Sequence, residues 1–314
     1  MAVEVFRRSC KLMGNRFELS VAAEDAAWAN ERIDIGIAEI QRIEKLLTTF
    51  SDDSETNQIN ANAGIAPVKV SRETFELIAR SLRISGLTQG AFDISYGGLD
   101  KRLWNFDQQM TALPDAETAR QMVRLINYKN IELNASECTV FLKEKGMRIG
   151  FGGIGKGYAA ECAKRVMHGA GVEHGVVNAS GDLTTWGFQP DGRQWTIAVS
   201  DPDRKDAAFS YMNISNMAVA TSGNYEKFIM IDGRKYSHTI NPRTGLPVTG
   251  IKSVTIITTN AEIADAMATP VTVMGVEAGL DLINQMNNIE AIIIDDNNRL
   301  YTSKNIKLKH PCYA

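Results

Sequence analysis

Cysteine is scarce in this chain of 314 residues, which holds four of them and no CxxC pair. A structural zinc site needs clustered thiolates, and a small secreted domain needs a dense disulfide framework, so neither class of protein fits. We expect ordinary buried or surface thiols at all four positions, which are Cys10, Cys138, Cys162 and Cys312.

Positive charge is also in short supply. The sequence has 34 lysines and arginines against 37 aspartates and glutamates, a net charge of −3. Proteins hold a nucleic acid backbone with cationic side chains that displace its counterions. We therefore expect no nucleic acid partner.

Long apolar runs are missing as well. No run exceeds four residues, as in 291–294, whereas a helix that crosses a bilayer needs about twenty. Arg7 and Arg8 are not followed by the apolar stretch of an export signal. We expect no membrane-spanning segment and a cytoplasmic location as the chain stands, or a periplasmic or lipid-anchored one if an export signal has been removed.

The residues that are present are typical of a globular protein, with 44% apolar and 23% charged side chains. Helical spacing and capping residues predict helices that begin near Asp25, Ser71, Tyr158 and Asn260, the last of them restricted by Pro270. Short β-branched segments dominate the second half, and residues 139–150 suggest a hairpin. This order predicts an α+β fold with a largely antiparallel sheet in the second half and packed helices.

A glycine-rich segment, GFGGIGKG at 150–157, invites three interpretations. It satisfies the GxGxxG pattern, but a dinucleotide-binding fold would need alternating strands and helices and an acidic residue about twenty positions later. It also nearly forms a P-loop, but Gly157 stands where a magnesium-binding Ser or Thr is required. An anion-binding loop beside Lys156 remains, with an ordinary close-packed turn as the alternative.

Three further residues could contribute oxygen or nitrogen atoms to a site. Asp265 and Thr269 lie four residues apart on a predicted helix, so their side chains share one face and could bind one Mg²⁺ ion, although a solvated helix face has the same spacing. His238 precedes a turn signalled by Asn241 and Pro242, and its context makes it the strongest candidate for a general base.

Eight segments together resemble the ApbE family of FAD:protein FMN transferases in their order and spacing. They span about residues 13–275 and read MGNRFEL, TFSDDSETNQIN, GAFDISYGGLDKRLWNF, FGGIGKGYAAE, VNASGDLTTWG, ATSGNYEKF, YSHTINPRTGLPV and AEIADAMATPVTVMG. Members of the family transfer the FMN half of FAD to a Ser or Thr hydroxyl of an acceptor flavoprotein and release AMP, with the help of magnesium. The resemblance implies an ApbE-like domain over residues 1–314 with its FAD site in a cleft, and two intertwined subdomains are the alternative.

The resemblance also implies individual roles. Asp265 and Thr269 would be side-chain ligands of Mg²⁺, with a main-chain carbonyl at about Gly153 as a further ligand. His238 would deprotonate the acceptor hydroxyl. The residues that would line the FAD site are Met13, Phe50, Ala91, Phe92, Asp93, Lys156 and Ile240. Phe50 is an apolar ring in a polar loop, so we expect it to be exposed in the free protein.

The sequence departs from the family at three positions. Gly150 replaces an acidic residue that commonly precedes the glycine loop, Asn15 replaces a threonine, and Ala268 stands where some members have a second acidic metal ligand. Two other functions remain open, the first because it would use the same metal and FAD site and the second because of Gly150. One is an FAD pyrophosphatase that releases FMN and AMP, and the other is an FAD-binding protein with weakened catalysis.

Overall fold

A computed structural model describes residues 2–100, 112–200, 208–223, 228–231, 233–237 and 239–306. The chain divides into two compact units, each built from separate stretches of sequence. The first unit comprises Met1–Arg42, Lys156–Tyr225 and Ile251–Ala314, and the second comprises Ile43–Gly155 and Glu226–Gly250.

The first unit is organised around an eight-stranded sheet in which every neighbouring pair is antiparallel. The strands in spatial order are β1 (Glu4–Leu12), β2 (Asn15–Ala23), β6 (Gly175–Ala179), β7 (Asp182–Trp186), β10 (Ala218–Gly223), β13 (Ile251–Thr258), β14 (Ile289–Asp295) and β15 (Leu300–Thr302). The β-branched residues of β13 and β14 are all buried, so both strands contribute to the core of this unit.

Helices of the first unit include α5 (Gly155–Gly169), α6 (Ala261–Met274) and α7 (Val276–Ile283). Most of the side chains of α6 are buried, because the helix packs against β10 and β13. Asn260 caps α6 as predicted, and the helix runs through Pro270 without ending there. A separate hairpin joins β8 (Trp195–Ser200) to β9 (Ala208–Ile214).

The second unit contains the helices α2 (Glu55–Ala61), α3 (Arg72–Leu87) and α4 (Ala116–Val123), and 3-10 turns at Ile94–Gly98 and Tyr128–Asn130. Its strands form a three-stranded sheet of β3 (Val68–Lys69), β5 (Thr139–Leu142) and β4 (Ile131–Asn134), and a hairpin of β11 (Phe228–Ile231) and β12 (Arg234–Ser237). Ser71 caps α3 as predicted. The helix α1 (Ala26–Leu47) begins in the first unit and ends in the second.

The predicted α+β class with antiparallel sheets is confirmed, with two corrections of detail. The hairpin expected at 139–150 is wrong, because β5 pairs with the preceding strand β4 and residues 143–150 contain no strand. The sheet is also not confined to the second half, since β1 and β2 pair with β6. Within the described residues, no helix combines the length and the apolar character that crossing a bilayer requires.

Candidate active site

The start of helix α5 is held by a carboxylate from another helix. Asp265 of α6 accepts a hydrogen bond from the backbone N–H of Gly157 at 2.9 Å and a second from the N–H of Lys156. In the other direction, Glu161 of α5 accepts a bond from the N–H of Ala261 at the start of α6, at 2.8 Å. The first N–H groups of a helix have no partner within the helix. Each helix therefore supplies a carboxylate that accepts hydrogen bonds from backbone N–H groups at the start of the other helix.

This packing explains why glycine occupies position 157. A Cβ atom placed there would lie 2.0 Å from the carbonyl oxygen of Ala261 and 2.8 Å from the Cβ of Asp265. The Ser or Thr of a P-loop cannot fit, so that interpretation is excluded. The dinucleotide-binding alternative fails too, because β5 and β6, the strands on either side of α5, belong to different sheets.

Asp182 is a member of this site that the sequence reasoning did not select. It follows a two-residue turn in which Ser180 and Gly181 both have positive φ, at 56° and 101°. The side chain is buried, forms an ion pair with Lys156, and accepts a hydrogen bond from the N–H of Thr221. The available signal was the segment VNASGD, in which a Ser-Gly turn between two strands places the aspartate at the first position of the second strand.

The carboxylates of Asp182 and Asp265 are both buried and repel each other. The pKa of Asp265 is raised to about 7, chiefly by burial and then by the negative charge of Asp182, although Lys156 and the N–H donors of Gly157 and Lys156 lower it in part. The pKa of Asp182 is also raised, because the cost of burial outweighs the attraction of Lys156. In the part of the chain that the structure describes, Lys156 is the cation that acts on both groups.

The donor chemistry of this cluster fits a divalent cation. Two buried carboxylates facing one ammonium leave an uncompensated negative charge, and burying such a charge is costly. Thr269 follows Asp265 by one helical turn and is half-buried, so the hydroxyl and the carboxylate start from the same face of α6. Carboxylate and hydroxyl oxygens are ligands that Mg²⁺ accepts.

Met13 occupies a tight turn in the same unit. Met13 and Gly14 connect β1 to β2 with positive φ values of 50° and 72°. The side chain of Asn15 donates a hydrogen bond to the carbonyl of Met13 at 2.9 Å. Asn15 thus stabilises the turn that contains Met13.

Phe50 lies in the second unit and is 98% exposed, as predicted. The loop around it is not loosely held, since Thr48, Ser51 and Ser54 form side-chain and backbone hydrogen bonds with one another. The polar segment after it is a seven-residue helix, α2, rather than a single turn.

The Ala91-Phe92-Asp93 segment is buried and internally bonded. Ala91 and Phe92 are 8% and 5% exposed. The carboxylate of Asp93 accepts hydrogen bonds from the N–H and hydroxyl of Ser95 and from the N–H of Tyr128, while burial raises its pKa. These contacts occupy both oxygens of Asp93, so its clearest role is to fix the backbone of the segment.

Three of the predicted segments converge within the second unit, just before the glycine loop. The N–H of Gly150 donates to the carbonyl of Ile94 at 2.9 Å, and Asn60 of α2 bonds both the N–H and the carbonyl of Ile149. A Cβ atom at Gly150 would lie 3.9 Å from the methyl group of Thr49, next to Phe50. Position 150 therefore has room for a side chain.

The remaining predicted residues are divided between the units or lie beyond the description. Gly153 belongs to the second unit, and Asp265 and Thr269 belong to the first. The side chain of Ile240 is buried in an apolar cluster with Met122 and Ile229, so only its backbone is available to a ligand. His238 lies outside the described residues.

Comparison with known proteins agrees with the resemblance seen in the sequence. The sequence profile of the ApbE family matches residues 13–293. A protein of Klebsiella pneumoniae strain 342 named FAD:protein FMN transferase is 32% identical over 307 residues, which cover 97% of this chain and 94% of that protein. A protein of the same name from Escherichia coli K12 is 29% identical over 290 residues, covering 90% and 82%.

Solved structures give the same result for the fold. The crystal structure of the ApbE protein of Thermotoga maritima has a TM-score of 0.86 at 27% identity, covering 96% of this chain and 97% of that one. The apo form of the flavinyl transferase ApbE of Pseudomonas stutzeri has a TM-score of 0.83 at 26% identity, covering 97% and 96%.

Proposed function

This chain belongs to the ApbE family and is a transferase, and we propose that it transfers the FMN half of FAD to a Ser or Thr hydroxyl of an acceptor flavoprotein in a magnesium-dependent reaction that releases AMP. FAD is the substrate that donates the flavin. The relative of this chain from Klebsiella pneumoniae that is named FAD:protein FMN transferase matches nearly the whole chain, which supports the assignment of the same reaction here.

The observation that supports the magnesium requirement is the pair of buried carboxylates at Asp182 and Asp265. The single positive charge of Lys156 forms an ion pair with Asp182 and also lowers the pKa of Asp265. Asp265 and Thr269, both on α6, would hold the ion. When bound, Mg²⁺ would neutralise negative charge on the pyrophosphate of FAD.

The protein's own groups account for the rest of the reaction. The acceptor oxygen attacks the phosphorus of the FMN half, a new phosphoester bond forms, and the bond from that phosphorus to the oxygen of AMP breaks. His238 takes the proton of the attacking hydroxyl. Phe50, which is exposed on a polar loop, contacts the flavin, because an aromatic ring gains little from water and can stack on another ring system.

Hydrolysis of FAD is the alternative outcome, in which water replaces the acceptor hydroxyl and FMN is released free. A second alternative is an FAD-binding protein with weakened catalysis. Gly150 favours this alternative, because it leaves open space where the family resemblance implies an acidic contact with FAD.

A single incubation separates the three. The protein is mixed with FAD, Mg²⁺ and a candidate flavoprotein domain that carries a Ser or Thr acceptor, and the products are analysed by intact-protein mass spectrometry and by chromatography of the small molecules. Transfer gives a flavin-sized mass increase on the acceptor and one AMP for each flavin attached. Free FMN without a mass increase would establish hydrolysis instead, and bound but unchanged FAD would establish a binding protein. Replacing the acceptor Ser or Thr with Ala, and adding EDTA, are the matched controls.

A further inference from the structure

The loop that carries Phe50 has an unusual combination of exposure and internal bonding. Phe50 is 98% exposed, so almost none of its apolar surface contributes to the stability of the free protein. Yet the hydroxyl of Ser54 lies 2.6 Å from the carbonyl oxygen of Thr48 and 2.9 Å from that of Ser51. A ring that is only tolerated at the surface needs no such support.

Asn57 makes the most specific of these contacts. Its side-chain Nδ2 donates to the carbonyl oxygens of Thr49 and Ser51, both at 2.9 Å. These are the residues immediately before and after Phe50. The two N–H groups of one amide thus hold the carbonyl of the peptide group that precedes Phe50 and the carbonyl of the residue that follows it, so the backbone is fixed on both sides of the ring.

The orientation of that amide is itself fixed. The Oδ1 of Asn57 accepts a hydrogen bond from Nη2 of Arg148 at 3.2 Å, so the oxygen faces the guanidinium and both donors face the loop. The backbone N–H of Asn57 is bonded to the Ser54 hydroxyl at 3.1 Å. Asn57 therefore connects the Phe50 loop to the segment that precedes the glycine loop, within one unit.

We propose that Asn57 is a positioning residue that pre-orders the Phe50 loop for contact with the flavin. The proposal rests on the proposed function, since Phe50 is the group that meets FAD there. A loop that is ordered before binding loses less conformational entropy when the ligand arrives, so the same aromatic contact gives a higher affinity. Asn57 acts through Phe50 and need not touch FAD.

The fold does not depend on these bonds. Helix α2 is anchored separately, by the buried Asn60, which bonds both backbone groups of Ile149, and by the buried Thr56 and Ile59. Asn57→Ala should consequently leave the thermal unfolding temperature almost unchanged. Asn57→Asp is a second variant that keeps the size of the side chain and the acceptor for Arg148 but removes both N–H donors.

The test is a double-mutant cycle on FAD affinity, read from the quenching of flavin fluorescence in the presence of Mg²⁺. An aromatic contact of about 1 kcal/mol corresponds to about a fivefold change in the dissociation constant, so Phe50→Ala should weaken binding by about that factor. Asn57→Ala and Asn57→Asp should each weaken it about threefold to fivefold. The double variant Phe50→Ala/Asn57→Ala should bind FAD no more weakly than Phe50→Ala alone. Asn62→Ala is the matched control, because Asn62 lies at the end of the same helix and its side chain donates a hydrogen bond to the carbonyl of Gln58, within that helix and away from the Phe50 loop.

Hydrogen exchange provides the readout that does not involve FAD. Without ligand, the backbone amides of residues 49–53 should exchange faster in Asn57→Ala than in the wild type or in Asn62→Ala. If the effects of Phe50→Ala and Asn57→Ala on affinity multiply, or if Asn57→Ala binds FAD like the wild type while Phe50→Ala does not, Asn57 is not a positioning residue for the ring. If Phe50→Ala itself leaves affinity unchanged, the flavin contact in the proposed function fails, and this proposal fails with it.

Discussion

Asp265 offers the sharpest test of the candidate site, because its charge is unfavourable in the metal-free protein. Asp265→Asn removes that charge and retains a side-chain oxygen that can accept the hydrogen bond from the N–H of Gly157. The start of α5 therefore keeps an acceptor, whereas Asp265→Ala would remove it and cost about 1 kcal/mol, as the loss of other helix caps does. The Asn variant isolates the charge.

The direction and size of the effect follow from the raised pKa. Between about pH 4 and about pH 7 the folded protein holds a proton on Asp265 that the unfolded chain has already released, so its free energy of unfolding should fall as the pH rises through this range. A pKa that rises from 3.8 to about 7 corresponds to a loss of about 4 kcal/mol, since each pKa unit is worth about 1.4 kcal/mol. In Asp265→Asn this part of the pH dependence should disappear. Some dependence should remain, because burial raises the pKa of Asp182 too.

The assay is urea unfolding followed by tryptophan fluorescence, in EDTA, at several pH values between 4.5 and 8. Repeating it at pH 8 with Mg²⁺ tests the metal, which should stabilise the wild type and leave Asp265→Asn unchanged. Asp281→Asn, at an exposed position of α7, is the control and should behave like the wild type in both series. A wild-type stability that is flat between pH 4.5 and 8 in EDTA would refute the argument from burial. Equal stabilisation of the wild type and Asp265→Asn by Mg²⁺ would place the ion elsewhere.

Three further predictions concern the base, the departure from the family and the helix contact. His238→Ala should lower the rate of flavin transfer by about a hundredfold or more while FAD still binds with Mg²⁺, because a positioned base acts mainly on the rate. Single-turnover kinetics measure the rate, and titration with FAD measures the affinity. A loss of affinity with an unchanged rate at saturating FAD would contradict the prediction. Gly150→Glu should leave the fold intact, since a side chain at this position has room. It should also tighten FAD binding about threefold to tenfold, by restoring the acidic contact that the family resemblance implies. Weaker or unchanged binding in the FAD titration would show that this contact is not available here. Gly157→Ala should destabilise the protein by about 2 kcal/mol or more, because the new Cβ collides with the carbonyl of Ala261. Gly169→Ala, at the other end of α5, is the control and should not destabilise the protein in this way, because its Cβ meets no atom within 4 Å. Equal thermal unfolding temperatures for the two variants would argue against the close approach of the helices.

Most of the fold was predictable because its elements carry local signals. The caps at Ser71 and Asn260 mark the starts of α3 and α6, and both helices begin one residue later. The hairpin at 139–150 was misplaced because strand pairing is not local. Thr139–Leu142 has the composition of a strand, but the choice between the preceding and the following segment as its partner depends on the packing of the whole unit. The division of the chain into two discontinuous units has the same origin, since no change of composition marks its boundaries.

The candidate site was predictable where a residue's surroundings in the sequence are unusual. Phe50 is such a case, because an aromatic ring among Ser, Thr and Asp residues has no apolar neighbours in the sequence to bury it, and it proves to be 98% exposed. Ile240 is the opposite case. The family resemblance alone implied a ligand contact there, and the structure places its side chain in the core of its unit.

Asp182 shows what sequence reasoning could not supply. Its importance comes from a charge balance among groups that lie 26 and 83 positions away, at Lys156 and Asp265, and no spacing rule connects them. Because the structure brings the three groups together, the prediction for Asp265 concerns the stability of the protein as well as metal binding. A carboxylate on a solvated helix face would be charged without cost, and its replacement would affect only the metal. A carboxylate buried beside a second one destabilises the metal-free protein, so an ion that binds here for the proposed transfer should also be an ion that the protein needs for full stability above about pH 7.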